Sequence, residues 1–168
     1  MLPPTMLTVI DEHGRIKDEV KLILDLIAGQ DAILSAGHLH ISEIWPLFTE
    51  ARQRGITRLL VNHPTFLIGC SASDMAELAK MGALLEHSCC MWAGVQGAKY
   101  TPESLRAAVE GGGVASTIIG SDLGQVGNTS PVDVFRHVIG MLIGLGYSDA
   151  DIRTMIADNP AKLLGLDD

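Results

Sequence analysis

No apolar run in this chain reaches the ~18 residues of a membrane-crossing helix. The longest are cut by Gly, His or charge, although 47% of the residues are hydrophobic. No membrane partner is expected. Cysteine is scarce: Cys70, Cys89 and Cys90 are all there is, and an adjacent pair plus one makes a poor disulfide framework. A reducing compartment, the cytoplasm, is expected instead. Residues 1–5, Met-Leu-Pro-Pro-Thr, hold no basic stretch leading into an apolar one, so no secretory signal is expected there. Basic residues are few and scattered: Lys and Arg number 12 against 20 Asp and Glu, for a net charge of -8. Phosphate backbones need clustered cations, so no nucleic-acid partner is expected. Aromatics make up only 4%.

What is present is glycine, 18 residues of it, around short aliphatic runs. Many turns about a small-aliphatic core are the composition of an α/β fold with buried parallel strands. A chain of 168 residues fits one domain and buries roughly two-thirds of the surface its unfolded form exposes. The pattern along it predicts a single α/β domain over 1–168, with a β-hairpin in 1–16 and βα units in 17–168. Leu7–Ile10, a turn at Asp11–Gly14 and then Arg15–Ile16 read as the hairpin, with His13 at its tip. Apolar residues at Val20, Ile23, Leu24 and Ile27 have helical spacing, and Gly29 stops that helix.

From there strands and helices alternate. Strands are expected at Asp31–Ala36, Thr57–Val61, Ala83–Glu86 and Val114–Ile119. Helices are expected from a cap at Ser42 to Arg54, from Ser73 or Asp74 to Lys80, and from a Thr101 cap to Gly111. Two more follow, over Pro131–Leu145 and over Ser148–Ala157, the last closed by Asn159–Pro160. Strand ends recur every 25 to 35 residues or so, the spacing of right-handed βαβ crossovers. Four such units are half of a closed eight-stranded barrel, which takes about 250 residues. The expected fold is therefore a partial, half TIM-type barrel, either part of a longer reading frame, an open sheet, or one of two chains that associate.

The strand ends carry the chemistry. Ser35–His40 holds His38 and His40, Val61–Pro64 holds Asn62 and His63, Leu85–Ser88 holds Glu86 and His87, and Ile119–Asp122 ends in a carboxylate. The carboxyl ends of parallel strands open onto one face, so these groups converge whatever their separation in sequence. His63 follows a buried run and precedes Pro64, which predicts an extended residue in a ligand or hydrogen-bonding role. His38 and His40, two apart, share a side on an extended chain and would form a chelating pair. Asp122 sits before a glycine turn, well short of the helix at Pro131, and is placed to ligate a metal and accept a proton from its water. Of Glu86 and His87, alternation turns one to the mouth, and His87 is taken as a substrate-binding candidate with Asn62. Trp92 either lines a pocket or covers the core.

With these residues the chain resembles the C-terminal half of a metal-dependent amidohydrolase-superfamily enzyme, over about residues 30 to 168. In that family a His ends strand five, another ends strand six and an Asp ends strand eight; His38, His63 and Asp122 resemble them by order and position. The tail Asp158–Gly165 resembles the family's closing helix, in which Asn-Pro-Ala recurs. The family's first-strand His-x-His pair has no counterpart before residue 30. A second register makes His38-Leu39-His40 that pair, with His63, His87 and Asp122 completing the set. The resemblance implies a divalent metal, zinc favoured, held by His38, His40, His63 and Asp122, and a small-molecule substrate hydrolysed at an amide, ester or lactone bond. Exposed sheet edges imply a homo-oligomer. The rival expectation is a non-catalytic α/β domain or oligomerisation remnant whose histidines are structural, and a truncated fragment would be inactive.

Overall fold

The structure is a computed structural model that describes residues 7–65, 68–93 and 100–166. Residues 1–5, where no signal is expected, lie outside the described residues. Strands β1 (Leu34–Ser35), β2 (Leu59–Asn62), β3 (Ala83–Ser88) and β4 (Thr117–Gly120) form one four-stranded, all-parallel sheet in the order β1-β2-β3-β4. Helix α1 (Asp18–Gly29) precedes it, and α2 (Ile41–Gln53), α3 (Ala72–Met81), and α4 (Cys90–Ala93) with α5 (Pro102–Gly112) make the crossovers. Helices α6 (Pro131–Gly144), α7 (Asp149–Arg153) and α8 (Asn159–Leu164) follow β4. The protein is thus a mixed α/β fold of successive βα units, as expected. No helix among the described residues is long and apolar enough to cross a membrane.

Strand alternation sorts the side chains into two sets. Leu59, Val61, Ala83 and Leu85 pack with Ile44, Phe48 and Leu78 of the helices, and Ile119 packs with Leu105, Val109 and Val138. Leu84 and Ile118 face the other way, against Leu163 of α8, with Ile33 and Leu60 beside them. Continuing that second set toward the carboxyl ends gives Asn62, Glu86, Ser88 and Gly120, so the alternation that builds the core also chooses which polar groups reach the mouth.

Local rules account for the helix boundaries. Ser71 caps α3 in a reciprocal box with Asp74, Thr101 caps α5 with Pro102 behind it, and Ser148 caps α7 in a box with Asp151. Three expectations need correction. The N-terminal hairpin is a single antiparallel bridge between Ile10 and Ile16, because α1 begins at Asp18 and leaves no length for a second strand. β1 has two residues, since Asp31 turns at φ +47° and pairs with Arg58 at 2.8 Å before the ladder begins. The C-terminal helix does not stop at Asn159–Pro160. It widens into a π turn at Thr154–Asp158 and resumes as α8, where Pro160 lies in the first turn and its missing N–H costs nothing. Asn159 Nδ2 donates to the carbonyls of Val114 and Thr117 at 2.9 and 2.7 Å, tying this tail to β4.

Candidate functional site

The mouth of the sheet has a buried floor and an exposed rim. On the floor, the Glu86 and His63 side chains are 12% and 13% exposed, and Ser88 is buried. His63 Nδ1 lies 2.7 Å from Ser88 Oγ, 3.7 Å from Glu86 Oε2 and 3.9 Å from Asp122 Oδ2. Ser88 Oγ is 3.1 Å from each Glu86 carboxylate oxygen. Asn62 stands beside Glu86 in the ladder and accepts a hydrogen bond from Ser35 Oγ. Burial pushes the Glu86 carboxyl above its ordinary range, and the Ser88 hydroxyl, the His63 ring and the Asn62 side chain offset this only in part. On the rim, Asp122 is half exposed and Cys90 Sγ approaches its Oδ2 at 3.5 Å. The exposed His38 ring stacks on His63 with centroids 5.2 Å apart and planes at 20°.

The backbone is specialised at the same two places. Among the described residues only Asp31, His63 and Asp122 are non-glycine positions with positive φ, at +47°, +44° and +50°. His63 is therefore not extended as Pro64 led one to expect. Its N–H still donates to Glu86 O at 3.0 Å, so the ladder runs one residue past β2 and the chain turns left-handed there. Backbone conformations of this kind gather at functional sites, and two of these three residues, His63 and Asp122, are site candidates from the sequence.

His38, His63, Asn62 and Asp122 are thus brought together. His40 and His87 are not. β1 ends at Ser35, so period-two alternation no longer applies at His38–His40; His40 instead caps α2, its Nδ1 accepting from Ser42 N at 3.3 Å. Its Nε2 faces Gly69, where an added Cβ would lie 3.0 Å away. His87 belongs to the core-facing set of β3 and is 1% exposed, edge-on to Trp92 at 6.4 Å. No hydrogen bond of good geometry reaches its ring nitrogens, and burial pushes its pKa down to about 4 against the opposing pull of the nearby Ala108 backbone. Trp92 is buried, donates to Ser104 Oγ at 3.0 Å and packs against Tyr100, so it covers the core.

Glu86 is the group sequence reasoning passed over. The signal was the polar pair Glu86-x-Ser88 set against the apolar Ala83-x-Leu85, which puts Glu86 on the mouth side and His87 in the core. The implied metal meets a poor fit. Among the described residues no three His, Cys, Asp or Glu side chains are arranged to hold an ion. The rings of His38 and His63 lie in nearly parallel planes, and the His63 nitrogen nearest Asp122 is the one engaged by Ser88.

Fold and site together define a parallel α/β protein with an ionisable cluster at the carboxyl edge of its sheet. By sequence the chain belongs to a family of unknown function, DUF6282, whose model matches residues 2–86, half of its length. The match includes His38, His63 and Glu86 and stops short of Asp122. No curated protein and no solved structure matches.

Proposed function

We propose that the chain carries a hydrolytic site for an amide, ester or lactone bond of a small molecule, on a sheet that is half of a TIM-type barrel of the amidohydrolase kind. One observation carries the reading: two imidazoles and two carboxylates from separate βα units meet at the carboxyl ends of parallel strands, where such folds keep their chemistry. Asp122, half exposed at the rim, takes a proton from the attacking water and returns it to the leaving group. The His63 ring, 3.9 Å away, faces the same mouth, and Asn62 orients the substrate.

The resemblance would add zinc, with His38, His63 and Asp122 as ligands. The donors of this chain do not fit it as they stand, and no step runs through a metal here. Two identical sheets joined at their open edges, β1 and β4, would bring a second set of donors to one mouth, so self-association in the cytoplasm belongs to this reading.

The test is hydrolysis of an activated ester, an anilide and a lactone by the purified chain. Asp122→Asn is expected to lower the rate about a hundredfold or more. Equal rates in the two proteins would end the proposal, and zinc retained in both Asp122→Asn and His63→Ala would end its metal form. The second reading, a non-catalytic domain, is favoured by the placement of His40 at a helix cap and of His87 in the core; a folded chain with no turnover on all three substrates selects it.

A further inference from the structure

Three oxygens crowd one atom at the floor of the mouth. His63 Nδ1 faces Ser88 Oγ at 2.7 Å and carboxylate oxygens of Glu86 and Asp122 at 3.7 and 3.9 Å. The Ser88 hydroxyl has a single proton to give, and both Glu86 oxygens lie 3.1 Å from it. An ionised carboxylate is the stronger acceptor, so that proton goes to Glu86 and the Ser88 oxygen is left to accept. A bare Nδ1 would then meet only lone pairs.

We infer that Glu86 is a positioning residue: acting through the Ser88 hydroxyl, it holds neutral His63 in the tautomer with its proton on Nδ1 and the lone pair on Nε2. Free imidazole side chains in water favour the opposite tautomer, so the site inverts an ordinary preference. Histidines that work at a site take their tautomer from the partner of the other nitrogen, and here that partner is a two-step relay.

Gly120 belongs to the same device. A Cβ there would lie 2.3 Å from Glu86 Oε1, 3.1 Å from its Cδ and 3.3 Å from its Cγ. Glu86 lies across β4 only because β4 presents no side chain at that point, and the burial of Glu86 leaves it little room to swing aside. Gly120 has no positive φ to explain it, so close approach is its reason.

The inference rests on the hydrolytic reading for its purpose, since a bare Nε2 is the acceptor that a reaction at the mouth would use. The tautomer itself is readable without turnover. Long-range nitrogen–proton NMR correlations of the full ¹⁵N-labelled chain, at about pH 8 where histidine is neutral, report it directly. His63 is assigned by the resonances lost in His63→Gln. The wild type is expected to show Nδ1–H as the major form. Glu86→Leu, which replaces a buried carboxylate by an apolar chain and so is expected to fold, should shift the major form to Nε2–H. Gly120→Ala should shift it the same way by displacing Glu86. Nε2–H as the major wild-type form would overturn the inference, as would Nδ1–H persisting in folded Glu86→Leu. If neither variant folds, the wild-type spectrum decides alone. The expected tautomer without turnover on any of the three substrates counts against the hydrolytic reading and leaves the inference standing.

Discussion

A single buried residue, His87, gives this protein a source of acid sensitivity. Its imidazole is fully enclosed, and burial, outweighing the Ala108 backbone, takes its pKa from 6.5 to about 4 in the folded state. A base whose folded pKa is depressed is stabilising in its neutral form. The stability it contributes is therefore complete above about pH 6.5 and is lost progressively as pH falls toward about 4, a loss on the order of 3 kcal/mol. Urea unfolding at pH 7 and at pH 4.5 measures it, and His87→Leu is expected to remove most of that pH dependence. An unchanged difference between the two pH values in the variant would rule His87 out as the source. The thiols behave differently: burial pushes both Cys70 and Cys89 up to about 12, so neither is a reactive thiolate near neutral pH.

At the scale of elements, the tail is held by one amide. Asn159, just after the π turn, donates to the carbonyls of Val114 and of Thr117, the first residue of β4. Asn159→Ala would take a donor from the Thr117 carbonyl and leave the Val114 carbonyl only the Thr117 N–H, and is expected to cost about 1–3 kcal/mol, read from the denaturation midpoint. The Asn-Pro-Ala sequence was legible as a marker of the closing helix, but its job was not. A Pro after Asn reads as a stop in one dimension, and only the packing of Leu163 against Leu84 and Ile118 shows why the helix resumes. Helix α5 meets the sheet just as closely: a Cβ on Gly112 would lie 2.4 Å from Leu85 Cδ1. Gly112→Ala is expected to destabilise by about 1–3 kcal/mol through overpacking, despite the better helix propensity of alanine. A neutral or stabilising effect would show that α5 can move away from β3.

For the whole molecule, a parallel sheet of four strands leaves a pairing face on β1 and another on β4. Leu60, Leu84 and Ile118 line the sheet side that α8 meets through Leu163. Sedimentation is expected to find a dimer or larger assembly at micromolar concentration, since open sheet edges favour association. A strict monomer would count against the two-sheet form of the proposed site. The order of βα units was legible because period-two and period-3.6 apolar spacing are local properties of the chain. The lengths of β1 and of the N-terminal hairpin were not, because they depend on where Asp31 and Asp18 find tertiary partners or begin a helix.

The amino-acid sequence by itself determined the alternation of strands and helices, and with it the gathering of His38, Asn62, His63 and Asp122 at one edge. The shared direction of parallel strands needs no further information. Tertiary structure alone decided that Glu86 lies across Gly120 of β4, that His40 caps a helix, and that the His38 and His63 rings stack. Those outcomes turn on which strand face the helices cover and on the last residue of each strand, and both are settled by packing between segments far apart in the chain.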